Sequence, residues 1–283
     1  MSAALLTLSS LPEPDDFYKK YWNKKPFLVR NGVPESILDG LIGADELAGL
    51  SLEDDIRSRI VQTEGWTCVH GPFEEEKFST IGEKNWSLLI QDVEKHHPPT
   101  AKIVEPFGFS PCWLIDDVMV SYSTPGGGVG PHLDSYHVFL IQGSGKRRWK
   151  IGRDAILDEK YIADIDLKVL AEDFVGDEIE VGMGDVLYIP PYFAHAGVTT
   201  EESLTYSIGF LGPSIAELLV EYGQFIDEQG TLNKRYDGDK LDPSSAGENM
   251  SGQEVENFRD ALKDALDDLL FEKWLRSYFK NDD

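Results

Sequence analysis

Tyr136-His-Val-Phe-Leu-Ile-Gln-Gly-Ser-Gly-Lys-Arg-Arg-Trp-Lys-Ile151 decides the fold class of this 283-residue chain. Val138 to Gln142 is apolar and β-branched enough for a strand, Gly143-Ser-Gly145 reads as a turn, and Lys146-Arg-Arg-Trp149 opens the return strand. The same texture recurs in Cys112-Trp-Leu-Ile-Asp-Asp-Val-Met-Val-Ser-Tyr122, Asp185-Val-Leu-Tyr-Ile-Pro190 and Leu204-Thr-Tyr-Ser-Ile-Gly-Phe-Leu211, each bounded by Gly, Pro or Asp. Short strands at such intervals predict an all-β sandwich or barrel from about Pro111 onward.

Outward from that block the periodicity changes. Towards the N-terminus, Asp15 to Trp22 predicts a helix and Lys25-Pro-Phe-Leu-Val29 a short strand. Residues 34–63 carry Ile37, Leu38, Leu41, Leu47 and Leu50 at mostly helical spacing, broken by Gly40 and Gly43, and predict short helices. After Pro213, Ile215, Leu218, Leu219, Tyr222, Phe225 and Ile226 share one helical face. A polar stretch, Asp237 to Asn249, then precedes a capping box at Ser251-Gly-Gln-Glu254 and one long amphipathic helix running from Val255 towards Trp274 and Leu275. Those apolar faces must be buried, against the same domain or against a second subunit.

With 41% hydrophobic and 27% charged residues the composition is that of an ordinary globular protein. No run reaches the roughly 20 apolar residues of a membrane span, and the N-terminus lacks a basic n-region, so a cytoplasmic protein without membrane partners is expected. Two cysteines, Cys68 and Cys112, do not make a disulfide framework and are expected as free, buried thiols. A net charge of −25 argues against direct nucleic-acid binding, which rests on Lys and Arg neutralising phosphates. It fits either an acidic surface that steers a basic partner or simple solubility.

The chemistry concentrates in Gly130-Pro-His132-Leu-Asp134. On a strand, side chains at i and i+2 point the same way, so His132 and Asp134 share a face. A second histidine, His195, closes Gly184-Asp-Val-Leu-Tyr-Ile-Pro-Pro-Tyr-Phe-Ala-His195, a strand and a proline-braced turn that delivers it to a barrel mouth. Two imidazoles and one carboxylate suit Fe(II) with adjacent open positions, the facial triad of non-heme oxygenases. The same donors hold hydrolytic zinc. An Fe(II) oxygenase needs an electron source, commonly 2-oxoglutarate, whose far carboxylate calls for an inward-pointing cation. Lys146, Arg147 and Arg148 are all in place for that, and if Trp149 faces inward Arg147 lies beside it.

Taken together, Tyr21-Trp-Asn-Lys-Lys-Pro-Phe-Leu-Val29, Ser123-Thr-Pro-Gly-Gly-Gly-Val-Gly-Pro-His-Leu-Asp134, Val138 to Gly143, Arg147-Arg-Trp149 and Gly184 to Pro191 resemble the JmjC-type ribosomal oxygenases, in particular the bacterial ribosomal-protein arginine hydroxylases. The resemblance runs from about residue 10 to the end. It implies a mainly β fold with helical additions: a double-stranded β-helix (the cupin/JmjC barrel) over residues 1–212, then a helical dimerisation region over 213–283. It also implies 3-hydroxylation of an arginine in a basic substrate, large-subunit ribosomal protein sixteen, using Fe(II), 2-oxoglutarate and O2. By the same resemblance His132, Asp134 and His195 match the metal ligands and Arg147 the 2-oxoglutarate residue, with Ser123 and Ser207 as helpers, and the last helices join a homodimer. Bacterial members continue into a winged-helix domain, which is expected to be absent from a chain ending at Asp283.

Other features fit blander roles. Gly126-Gly-Gly128 lacks the Gly-Lys-Ser/Thr and following helix of a phosphate loop. His137 falls off the ligand face by parity and is expected to be structural; Tyr136 shares that face and fits either the substrate channel or plain packing. Lysine demethylation on the same core and a non-catalytic cupin-like binding module are the rival functions.

Overall fold

The computed structural model describes residues 5–230, 235 and 250–279; the polar stretch Asp237 to Asn249 lies outside the described residues. By contacts the chain divides into Met1–Gly212 and Pro213–Asp283.

The described residues of the first unit form ten strands: β1 (Leu6–Leu8), β2 (Phe27–Val29), β3 (Ser58–Gln62), β4 (Thr67–His70), β5 (Trp86–Ile90), β6 (Ile115–Ser123), β7 (His137–Ala155), β8 (Gly176–Val181), β9 (Val186–Ile189) and β10 (Phe193–Phe210). They hydrogen-bond in the order β1-β2-β9-β7-β10-β6-β5-β3-β4, with β8 on the far part of β7. Two long strands, β7 and β10, run antiparallel along nearly their whole lengths and serve both halves of the barrel. The first part of β7 pairs with β9 and its last part with β8, while the last part of β10 pairs with β6. This is a double-stranded β-helix, mainly β with helical additions.

The hairpin expected at Gly143-Ser-Gly145 does not form. His137–Ala155 is a single strand that bends there instead of reversing. Gly145 takes a positive φ of 62°, and a Cβ on it would sit 1.8 Å from the Glu202 carbonyl oxygen, so this glycine admits a close backbone crossing at the bend. Opposite it, the register of β10 slips between Thr199 and Thr205. Bulges in both strands turn the ladder from one half of the barrel to the other.

The sheet also extends further back than the sequence pattern indicated. The segment read as purely helical contains Glu35–Leu38 and Ala44–Leu50 as helices, but it ends in β3, which pairs with β4 and β5. Near the N-terminus Pro14–Asp16 and the π-helical turn Phe17–Tyr21 bring Phe17 against Phe27, Phe109, Phe139 and Tyr188. Phe17, Phe27, Phe139 and Tyr188 are completely buried. Each such aromatic contributes about 1.5–3 kcal/mol of transfer free energy, which anchors the N-terminal segment on β2, β7 and β9.

In the second unit the helix Ile215–Gln229 is capped by Ser214 and Glu217, as its sequence requires. The Ser251/Glu254 capping box is present as well. The single long helix predicted after it is two, Gly252–Leu266 and Leu269–Tyr278, because the Asp268 side chain accepts from the Leu270 N–H at 2.8 Å and starts a new helix. Tyr222 packs on Phe271 and Trp274 and donates its hydroxyl to Ala265 O at 2.7 Å. Ile215, Leu219, Val220, Leu262 and Leu269 stay exposed. No described helix is long and apolar enough to cross a membrane.

Candidate active site

Period-two alternation puts one set of side chains into the barrel. Ser87 and Leu89 come from β5, Asp117, Met119 and Ser121 from β6, Val138, Leu140, Arg147 and Trp149 from β7, and Thr205, Ser207 and Gly209 from β10; all line one cavity of about 790 Å³. His132, Asp134 and His195 line the same cavity.

The first two do not lie on a regular strand. His132 forms an isolated bridge with His195, N to O 3.0 Å in both directions, and β7 begins only at His137. Extended backbone still turns His132 and Asp134 to one side. The Gly-Asp pair ahead of β9 proves to be a brace: Asp185 accepts from Asn31 N and Gly182 N at 3.0 Å each and from Arg30 at 2.5 Å. Pro190-Pro191 and Tyr192, at φ 66°, then turn the chain into β10 and set His195 beside its partners.

Donor atoms of His132, Asp134 and His195 lie within 4.8 Å of one another. His132 donates from Nδ1 to Gly130 O at 2.9 Å, and His195 from Nδ1 to Phe193 O at 3.0 Å. Both rings are thereby fixed in the tautomer whose Nε2 lone pair is free for a metal. His195 Nε2 stands 3.4 Å from Asp134 Oδ2. Burial, and the neighbouring His195, lower the His132 pKa to about 4. Burial raises the Asp134 pKa, but the adjacent His195 and His132 rings outweigh it and hold the carboxyl at about 2. Neutral imidazole beside ionised carboxylate is the donor state a divalent metal takes up.

Deeper in the cavity, parity selects one of the three basic residues. Lys146 pairs with Glu201 at the surface, Arg148 is exposed, and Arg147 is 3% exposed. Its guanidinium lies over Trp149 at 4.8 Å, with only long contacts to Thr205 Oγ1 (3.4 Å) and Gly197 O (3.5 Å), and Nε has no partner. No described carboxylate pairs with it. Burial lowers its pKa to about 10. A desolvated cation held without a counter-ion is costly, and an anionic ligand resolves the cost.

The glycines around Arg147 are fixed by close approach. A Cβ on Gly197 would fall 2.6 Å from Arg147 Nε and 2.8 Å from the Trp149 ring, and one on Gly128 would fall 2.3 Å from Gly197 O. The Gly126–Gly128 run thus packs backbone on backbone against β10. Gly197→Ala is expected to push the guanidinium aside and raise the half-saturating 2-oxoglutarate concentration about tenfold, a loss of about 1.4 kcal/mol. Calorimetric titration of the variant checks it; unchanged affinity would show that Arg147 does not meet this ligand.

Ser207 lines the cavity. Ser123 is fully buried behind it, its Oγ 2.7 Å from Ser87 Oγ, so Ser87 rather than Ser123 reaches the open space. His137 is structural: it stacks on Trp22 at 3.5 Å and bonds Tyr188 Oη at 2.8 Å. Sequence reasoning missed Asp117, a buried cavity carboxylate whose Oδ2 has no partner. Burial, with Asp116 beside it, raises its pKa to about 6. The adjacent Asp116-Asp117 pair inside an apolar strand was the available signal.

A JmjC domain profile matches residues 102–218. The chain is 38% identical over 253 residues to the ribosomal protein uL16 3-hydroxylase of Escherichia coli K12, covering 89% of this chain and 66% of that protein. It is 37% identical to a probable ribosomal oxygenase of Haemophilus influenzae, covering 74% and 53% respectively. It therefore spans between half and two thirds of these relatives. The crystal structure of E. coli YcfD superposes with a TM-score of 0.82 at 36% identity, covering 95% of this chain and 72% of that one. A YcfD structure in complex with cobalt and 2-oxoglutarate superposes at 0.79. The fold class is that of the JmjC double-stranded β-helix proteins. Within that class, this chain belongs to the ribosomal oxygenase family.

Proposed function

We propose that this chain is a 2-oxoglutarate- and Fe(II)-dependent oxygenase that 3-hydroxylates an arginine of a basic large-subunit ribosomal protein, the uL16 named for its relative. The observation that carries the reading is Arg147, a buried guanidinium without a counter-ion in the cavity that also holds His132, Asp134 and His195. A bound oxo-diacid needs such a cation for its far carboxylate. His132 Nε2, His195 Nε2 and an Asp134 oxygen would hold Fe(II), and Arg147 would take the far carboxylate of 2-oxoglutarate through two charge-assisted hydrogen bonds, with Thr205 and Ser207 beside it. Bound together, metal, 2-oxoglutarate and O2 supply the oxidising power to hydroxylate a C–H bond, with succinate and CO2 as co-products.

The chain's own residues hold and orient the substrate. A Cβ on Gly209 would lie 3.4 Å from Asp117 Oδ1 and 3.5 Å from the Tyr136 ring. Asp117 and the Tyr136 edge thus flank Gly209 on the cavity wall, and a guanidinium entering the cavity can bond the first and pack on the second. Asp117→Asn is expected to raise the KM for an arginine-containing substrate peptide about 10- to 100-fold, the usual cost of one lost charge-assisted bond. Because Asp117 ionises near 6, wild-type KM should fall as pH rises through that value, and the variant should lose the dependence. A pH-independent wild-type KM would remove Asp117 from the role.

The exposed apolar face of Ile215, Leu219, Val220, Leu262 and Leu269 supports a homodimer built on the 213–283 helices. The whole proposal is tested by incubating the protein with candidate ribosomal proteins, Fe(II) and 2-oxoglutarate, then mapping mass changes by tandem mass spectrometry. One added oxygen on an arginine is expected. Loss of a methyl from lysine would make it a demethylase, and succinate-free, unmodified mixtures would make it a binding module.

A further inference from the structure

Cys68 and His70 stand two residues apart on β4, the last strand of the sheet, and so project from the same face. Neither cysteine is fully buried as expected; Cys68 is a free, half-buried thiol. Its Sγ lies 3.9 Å from His70 Nε2, and His70 Nε2 lies 3.0 Å from Asp166 Oδ2. All three donor atoms fall within 4.8 Å of one another. Zinc bonds of about 2.0 Å to nitrogen or oxygen and about 2.3 Å to sulfur, at tetrahedral angles, put such donors about 3.3 and 3.5 Å apart. A shift of a few tenths of an ångström brings Sγ to that distance from Nε2, and Asp166 is an exposed side chain free to adjust. An exposed histidine–aspartate pair alone would be an ordinary surface contact worth little. The sulfur within reach of the same point makes it a ligand set.

Asp166 comes from the connection between β7 and β8. Its neighbours Ile162, Ile165, Leu167 and Lys168 line the active-site cavity. The base of this connection is held by Ile162 N to Val169 O at 2.8 Å and Leu170 N to Pro131 O at 2.7 Å. Among the described residues, the His70–Asp166 contact is the hydrogen bond that ties its tip, residues 163–168, to the rest of the unit.

We propose that Cys68, His70 and Asp166 form a second metal site, for Zn(II), that staples the tip of this connection to β4 and thereby fixes one wall of the substrate cavity. One thiolate, one imidazole and one carboxylate are zinc donors of mixed softness, and the exposure of His70 and Asp166 leaves a fourth position to water. Binding expels the thiol proton to solvent; no redox change is involved.

Activity is an unsuitable readout, because excess zinc also competes for His132, Asp134 and His195. Sulfur separates the two sites, since that triad contains none. The full chain, stripped of metal, is titrated with Co(II). Two bound equivalents are expected, one of them with the near-ultraviolet thiolate-to-cobalt band, bleached by Zn(II). Cys68→Ser should lose the band and one equivalent, while Cys112→Ser keeps both. No band, or a band that survives Cys68→Ser, overturns the site. Failure of the triad to bind cobalt would instead show as loss of the sulfur-free equivalent with the band intact. Hydrogen exchange at 163–168 tests the staple itself. Zinc should slow it about tenfold in the wild type and leave exposed-site variant His70→Ala unaffected; equal exchange with and without zinc in the wild type overturns it.

Discussion

Asp134→Ala is expected to abolish iron retention and to lower hydroxylation by at least about 10³-fold, since loss of mere outer-shell partners of metal ligands already costs about 10- to 100-fold. Asp134 supplies the negative charge facing the two Nε2 atoms, His195 Nε2 being 3.4 Å away. Its carboxyl is held at about 2, so the wild type carries this charge throughout the working pH range. The imidazoles keep their orientation without it, because their Nδ1 atoms are held by Gly130 O and Phe193 O and their backbones by each other. The fold should therefore survive, with a stability change within about 1–2 kcal/mol. Equilibrium dialysis against Fe(II), together with thermal unfolding, separates the two effects. A folded alanine variant that still binds iron and turns over would falsify the assignment of this carboxylate.

Arg147→Met should do two opposite things. Affinity for 2-oxoglutarate should fall about 10²- to 10⁴-fold, from the loss of two charge-assisted hydrogen bonds at about 1.5–3 kcal/mol each. The ligand-free protein, in contrast, should be more stable than wild type by about 1–4 kcal/mol, as found when buried ionic groups give way to apolar residues of similar volume. The reason is on view: a fully buried guanidinium stacked on Trp149, with Nε unpartnered and no described carboxylate near enough to pair. Wild type should regain that difference when 2-oxoglutarate is added, because a ligand bound only by the folded state stabilises it. Thermal shifts with and without 2-oxoglutarate, for both proteins, provide the check. A variant that is destabilised without ligand and stabilised by 2-oxoglutarate as strongly as wild type would rule out the role.

The sequence by itself determined the β-rich core, because strands such as Val138 to Gln142 and Leu204 to Leu211 announce burial by local composition. It determined the metal-ligand candidates, whose short spacing and flanking Gly and Pro are local too, and the helix starts at Ser214 and Ser251, where a capping box closes within four residues. The tertiary structure decided whatever depends on distant partners. Gly143-Ser-Gly145 carries turn chemistry, yet it bends one strand because Glu202 crosses it and β10 pairs on both sides. Strand β3 lay inside an apparently helical stretch, and only pairing with β4 and β5 makes it a strand. Three adjacent basic residues were equivalent until the barrel buried Arg147 and left Lys146 and Arg148 in water. The burial of Asp117 and the Cys68–His70–Asp166 cluster were hidden for the same reason, since desolvation and the convergence of side chains up to 98 residues apart are properties of a packed interior and a folded surface, not of neighbouring letters.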